Sequence, residues 1–93
     1  MVKVSKWDFA EFLKTEADIK VYLETAFADG DPAVISAALG TAARARGMSK
    51  IAKKSGINRT SLYRALNKDK KPYFETISSV IHSLGYKLAL APQ

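Results

Sequence analysis

The side chains best suited to chemistry lie within residues 49–68, and they are cations, amides and hydroxyls rather than nucleophiles or metal ligands. An arginine such as Arg59 or Arg64 can donate a bidentate pair of hydrogen bonds to the O6 and N7 atoms of guanine. Asn58 and Thr60 can bond to an adjacent base edge or to a phosphate. This chemistry suits double-stranded DNA better than RNA, because the motif offers no aromatic sheet platform for splayed bases.

A second set of residues fits contacts with the phosphate backbone. Lysine neutralises phosphates and so positions a protein on DNA without reading its sequence. Tyr63 has two interpretations, either stacking on or bonding to the DNA, or packing against its own protein. The residues predicted to contact phosphates are Ser49, Lys50, Lys53, Lys54, Tyr63 and Lys68.

The segment Gly47–Asn67 is predicted to hold these side chains on two short helices joined by a glycine turn. Ser49 is expected to cap the first helix, and Gly56 to end it in a left-handed conformation. Asn58 then fits the N-cap of the second helix. The apolar positions of that helix recur at helical spacing and are Leu62, Ala65 and Leu66. Its polar side chains fall in an opposite arc of roughly 140°, so that one face packs and the other faces a partner.

Four further helices are predicted from apolar side chains at i, i+3 and i+4 spacing. Their apolar positions are Phe9, Phe12 and Leu13; Ile19, Tyr22, Leu23, Ala26 and Phe27; Ile35, Ala38, Leu39 and Ala42; and Ile77, Val80, Ile81 and Leu84. Trp7 is expected to anchor the first of these helices. Gly40, inside the third, implies close packing, because glycine in a helix costs about 1 kcal/mol relative to alanine. The sequence therefore predicts an all-α protein with one domain spanning residues 1–93.

The C-terminal residues 86–90 alternate larger apolar side chains with smaller or charged ones, a pattern that favours a short strand. A lone strand is unstable, so it is expected to pair with the same segment of a second subunit through Tyr86, Leu88 and Leu90. The alternative is an ordered apolar tail lying on the core.

The charges are divided along the chain. Residues 1–31 carry four lysines and seven acids, whereas the remainder carries eleven bases and two acids. Ten of those bases lie between Arg44 and Lys71, which favours a polyanionic partner for this part of the chain. The acidic residues 1–31, which include the first helices, suggest a different partner.

Several function classes are disfavoured by what the sequence lacks. There is no cysteine and one histidine, His82, which is predicted to lie on the polar side of the last helix. We expect no combination of catalytic residues, no metal site, no glycine-rich loop for a phosphate or dinucleotide cofactor, and no membrane span. We therefore expect a soluble, cytoplasmic protein that is not an enzyme.

Two stretches of the sequence resemble the HigA-like family of addiction-module antidote proteins, which carry an Xre/Cro-type helix-turn-helix. They are YLETAFADGDPAVISAALGTAARARGMSKIAKKSGINRTSLYRAL and PYFETISSVIHSLG, of which ALGTAARARGMSKIA is the most specific part. The resemblance implies a five-helix bundle of the lambda-repressor-like type and a homodimer. In such relatives the start of the recognition helix contacts bases, which corresponds here to Asn58, Arg59, Thr60, Ser61 and Arg64.

The resemblance also implies repression of the protein's own operon and neutralisation of a small RelE/HigB-like ribonuclease toxin encoded beside it. A basic RNA-cleaving partner suits the acidic segment, so Glu11, Glu16 and Glu24 are the hypothetical toxin contacts. The alternative is a stand-alone prophage-type repressor with no toxin partner.

Overall fold

The computed structural model describes residues 8–93, which form one 3-10 helix and five α-helices. The 3-10 helix is Phe9–Phe12, and the α-helices are α1 Glu16–Asp29, α2 Pro32–Arg46, α3 Met48–Ser55, α4 Arg59–Ala65 and α5 Phe74–Ser83. The predicted all-α class is confirmed for these residues. The expected role of Trp7, and the first seven residues of the acidic segment, lie outside the described residues.

Helix α2 is the centre of the fold, because the 3-10 helix and each of the other four α-helices pack against it. Its alanines let those neighbours approach closely, and its Leu39 side chain is fully buried. The core consists of Leu13, Ile19, Leu23, Ala26, Ala38, Leu39, Ala42, Ala43, Met48, Ile51, Leu62, Leu66, Val80, Ile81 and Leu84. The apolar positions predicted from spacing supply most of this set. No helix among residues 8–93 is long and apolar enough to cross a bilayer.

Side-chain caps fix where α1 and α2 begin. At α1, the Thr15 hydroxyl accepts from the Asp18 N–H at 3.1 Å, and the Asp18 carboxylate accepts from the Thr15 N–H at 3.1 Å. At α2, the Asp31 carboxylate accepts from the Ala33 N–H at 2.9 Å, and Pro32 occupies the first helical position. Such capping residues satisfy N–H groups that have no partner inside the helix.

The predicted N-cap at Ser49 is wrong. Helix α3 begins at Met48, directly after Gly47, and no side chain caps it. One residue separates α2 from α3, since Gly47 is both the C-cap of α2 and the N-cap of α3. Burial of Met48 in the core draws that residue into the helix, so Ser49 lies within its first turn and is exposed.

Close packing at Gly40 is confirmed. An added Cβ at this position would lie 2.4 Å from the Leu66 carbonyl oxygen and 3.3 Å from the Leu66 Cβ. Leu66 is the C-cap residue of α4. The missing side chain therefore lets α2 and the end of α4 approach within a distance that alanine would prevent.

The predicted strand over residues 86–90 is wrong for the described chain, which contains no strand between residues 8 and 93. A strand needs a hydrogen-bonded neighbour, and the helical bundle offers none. The segment runs instead as an irregular tail in which Tyr86 packs against the core. Leu88 is exposed and Leu90 is fully exposed, so only the beginning of the tail follows the alternative of an apolar segment on the core.

Two arginines at the end of α2 fasten the N-terminal elements to the bundle. The Arg44 guanidinium donates to both carboxylate oxygens of Asp8, at 2.7 Å from Nε and 3.0 Å from Nη2. Arg46 pairs with Glu16 and also donates to the Leu84 carbonyl at 2.9 Å. Both residues belong to the ten bases whose position in the sequence favours a polyanionic partner. Their main role in the structure is to link separate elements.

We expect the Asp8 to Arg44 pair to make stability depend on pH. The hydrogen bond from Arg44 holds the pKa of the Asp8 carboxyl below its ordinary value of 3.8. A lowered carboxyl pKa stabilises the fold above the unfolded-state value, and this stabilisation is lost as pH falls through the folded-state value. Asp8→Asn should therefore cost about 1 to 2 kcal/mol at pH 7. The difference from the wild type should shrink below about pH 4.

Urea unfolding between pH 7 and pH 2 measures this difference directly. Asp69→Asn is the matched control, because Asp69 is an exposed carboxylate on the loop after α4. A difference between Asp8→Asn and wild type that stayed constant over this range would contradict the assigned role.

Candidate nucleic-acid interface

Helices α3 and α4 form a two-helix unit joined by the turn Gly56, Ile57 and Asn58. Gly56 ends α3 in the left-handed region, with φ of 77°, as predicted from its lack of a Cβ. Asn58 caps α4, since its side-chain oxygen accepts from the Ser61 N–H at 2.8 Å. The turn therefore fixes the start of α4 through local hydrogen bonding.

Helix α4 has one buried face and one exposed face. Leu62 is fully buried and Leu66 nearly so, and both belong to the central core. The exposed residues at its start and along its outer side include all five predicted base contacts, which are Asn58, Arg59, Thr60, Ser61 and Arg64. The structure thus brings this predicted set together on one short helix and its cap.

Tyr63 belongs to the same surface. Its side chain is 44% exposed, and the Arg59 guanidinium carbon lies 5.6 Å from the centre of its ring. A cation over an aromatic ring at this distance is attracted by the ring's negative face, which at exposed sites contributes about 0.5 to 1 kcal/mol. Tyr63 therefore supports Arg59 on the outer face of α4, and packing in the core is not its main role.

The predicted phosphate contacts lie on both sides of α4 along the chain. Ser49, Lys50, Lys53 and Lys54 are exposed on α3, and Lys68 is exposed on the loop after α4. Residues 48–71 carry eight cations and a single carboxylate, that of Asp69. Arg44 and Arg46 are engaged by Asp8 and Glu16, so the positive charge of this surface comes from those eight side chains.

Two of those cations, Lys70 and Lys71, were not assigned a role from the sequence. Together with Ser61, Arg64 and Tyr73 they line a groove of about 410 Å³ beside α4. The signal that points to them is the lysine-rich run of residues 68–71 directly after α4. They extend the positive surface from the outer face of α4 toward the start of α5.

The three predicted toxin contacts lie in different surroundings. Glu11 is exposed on the 3-10 helix, whereas Glu16 is paired with Arg46. Glu24 lies 3.4 Å from the Lys20 ammonium, beside a groove of about 240 Å³ next to the C-terminal tail. Of the predicted dimer contacts, Tyr86 and Leu88 line that same groove.

Comparison with known proteins identifies the family. A family model described as "Probable addiction module antidote protein" matches residues 3–92, and the chain belongs to this family. It is also 39% identical over 82 residues to an uncharacterised protein of Haemophilus influenzae, a match that covers 88% of this chain and 84% of the relative. No solved structure matches the chain. The family indicates an antitoxin role in an addiction module, with a toxin as partner.

Proposed function

We propose that this protein is a DNA-binding antitoxin of the HigA-like type, which represses its own operon and neutralises a RelE/HigB-like ribonuclease toxin. Family membership supports the antitoxin half of the proposal. The DNA-binding half rests on one observation, the exposed cationic face of α4 opposite the buried Leu62. An Xre/Cro-type helix-turn-helix uses such a helix to enter the major groove.

In this proposal the start of α4 reads bases. Arg59 and Arg64 donate to guanine, and stacking on Tyr63 limits the freedom of the Arg59 side chain before DNA arrives. The Asn58 side-chain oxygen is engaged in capping α4, which leaves its NH₂ group to donate to a base or phosphate. Thr60 and Ser61 offer hydroxyls to neighbouring base edges.

The lysines supply affinity that does not depend on sequence. Lys50, Lys53 and Lys54 on α3 and Lys68 after α4 contact phosphates on either side of the base-reading helix. Each phosphate that is neutralised releases counterions, so affinity falls steeply as salt is raised. Lys70 and Lys71 join this set because they line the groove beside Arg64.

Two substitutions are expected to distinguish residues that read DNA bases from residues that contact phosphates. Arg59→Ala should weaken binding to the specific site by about 1 to 3 kcal/mol while leaving binding to random DNA nearly unchanged. Lys53→Ala should weaken binding to all sequences alike and lower the salt slope by about one. Gel-shift titrations on the gene's own upstream DNA and on random DNA, at two salt concentrations, measure both effects. Equal losses on the two DNAs for Arg59→Ala would refute its reading role.

A homodimer completes the proposed DNA complex. Two α4 helices related by a twofold axis would read half-sites about 34 Å apart, or a multiple of that distance. Tyr86, Leu88 and Leu90 remain the proposed dimer contacts, as side chains of an irregular tail. Hydroxyl-radical footprinting of the upstream DNA measures the half-site spacing, and a single protected half-site would contradict the dimer.

The alternative, a stand-alone repressor, shares the DNA-binding half of the proposal and lacks the toxin. The two are separated by calorimetric titration of this protein with the purified product of an adjacent toxin-like reading frame. Submicromolar binding, together with restored growth on co-expression, supports the antitoxin. Specific DNA binding without any affinity for that product would support the stand-alone repressor and contradict the antitoxin.

A further inference from the structure

An apolar surface on the opposite side of α1 from Glu24 has no role in the DNA-binding proposal. Phe9 and Phe12 are exposed, the latter by 62%, and their ring centres are 5.5 Å apart. Phe9 also stacks on Tyr22 of α1, with ring centres 5.1 Å apart and an angle of 22° between the rings. Tyr22 and Glu24 are two residues apart on α1 and so point in directions roughly 160° apart. The aromatic cluster is thus separate from Glu24.

Tyr22 connects this aromatic cluster to a groove between α1 and α2. We call it the α1–α2 groove, a mostly apolar space of about 530 Å³ lined by Tyr22, Ala26, Ala33, Val34, Ala37 and Ala38. Val34 is 40% exposed there. The aromatic cluster and the groove form one continuous apolar surface, of the kind that marks interaction sites in small proteins.

Carboxylates surround this surface. Glu11 lies between the two phenylalanines, and Asp18 lies one helical turn before Tyr22. Asp29 and Asp31 line the groove itself, where Lys68 is the cation that also lines it. Among residues 8–93, four carboxylates outnumber one cation at this surface and repel the phosphates that the basic surface attracts, so this side of the molecule suits a cationic protein.

We propose that the α1–α2 groove and the adjoining phenylalanines bind the toxin, through a patch of the toxin in which apolar side chains are ringed by lysine and arginine. The inference rests on the proposed antitoxin function and specifies where the toxin binds. It also moves the predicted site, because Glu11 belongs to the new surface while Glu16 and Glu24 do not.

The fixed position of the 3-10 helix supports a preformed site. Asp8, immediately before it, is held by Arg44, and Leu13, immediately after it, is buried in the core. The exposed Phe12 ring is therefore presented from a turn that is fixed at both ends. A surface ordered before binding loses less conformational entropy on association.

The test is calorimetric titration of the full chain with the purified product of the adjacent toxin-like reading frame. Val34→Lys places a cation in the groove, and Phe12→Ser removes the exposed ring. Each should weaken binding by about tenfold or more, as expected for a central apolar contact. Val21→Lys is the matched control, because Val21 is 61% exposed on α1 and does not line the groove. It should change affinity by less than about twofold.

The results distinguish the proposed toxin-binding site from the proposed antitoxin function. If Val34→Lys and Phe12→Ser bind the product as tightly as the wild type does, the groove is not the toxin-binding site. The proposed antitoxin function would remain intact. A wild-type protein that does not bind the product would overturn both. A fall in mass by light scattering in either variant would identify a second copy of this chain as the occupant and overturn the toxin assignment. DNA affinity, measured in parallel, should be unchanged.

Discussion

Replacing Gly40 by alanine is expected to lower the free energy of unfolding by about 2 to 3 kcal/mol. Alanine normally stabilises a helix relative to glycine by about 1 kcal/mol, so the expected sign is the reverse of the helix-propensity effect. The reason is that the new Cβ would lie 2.4 Å from the Leu66 carbonyl oxygen. That oxygen belongs to the backbone and cannot rotate away as a flexible side chain would, so α2 and α4 must separate.

Urea unfolding of Gly40→Ala, followed by far-UV circular dichroism, measures this loss. Ala37→Ser is the matched control, since it adds one heavy atom to the same helix where the α1–α2 groove leaves room. The control should change stability by about 0.5 kcal/mol or less. A Gly40→Ala protein as stable as the wild type would show that the contact between α2 and α4 is looser than described.

Leu62→Ala should have the largest effect on α4, lowering the free energy of unfolding by about 2 to 5 kcal/mol. Leu62 is fully buried, and its removal leaves a cavity beneath α4. Helix α4 has only seven residues, and isolated helices shorter than about 12 residues are marginal in water. Packing of Leu62 and Leu66 therefore holds α4 in place.

The same urea experiment tests this prediction, with Ser61→Ala as the control. Ser61 is exposed and adjacent in sequence, and its substitution should change stability by about 0.5 kcal/mol or less. Loss of the near-ultraviolet tyrosine signal with retained helicity would show that Leu62→Ala loosens packing before it unfolds the helices. Equal stability of the two variants would contradict the anchoring role of Leu62.

Much of the fold was predictable because its signals are local. Gly56 ends α3 and Asn58 caps α4 through contacts within four residues, and both assignments are confirmed. The burial of Leu62 follows from a 3.6-residue period in the same way. Even the close approach at Gly40 was indicated by one residue that is unfavourable in its own helix.

The errors and omissions concern contacts between residues distant in the sequence. Arg44 is paired with Asp8, which is 36 positions away, so counting it with the basic cluster overstated the free charge there. Residues 86–90 show the alternation of a strand, but the described residues 8–93 contain no strand with which they could pair. The α1–α2 groove is lined by side chains of two helices and by Lys68 from the loop after α4, so no single stretch of sequence contains it.

The base-reading residues themselves remain a prediction. The structure places Asn58, Arg59, Thr60, Ser61 and Arg64 on one exposed surface, which is the arrangement that DNA reading requires. DNA binding tests this role directly, and the proposed role of α4 is therefore the central claim to test.

The most direct test is an NMR titration of the ¹⁵N-labelled protein with a duplex of the gene's own upstream DNA. The account predicts that the largest amide shifts occur at residues 49–54 and 58–71 at low molar ratio, with little change in residues 8–31. The shifts should weaken on a shuffled duplex of equal length. Shifts centred on residues 8–31, or identical shifts with the two duplexes, would contradict the assignment of α4 as the base-reading helix.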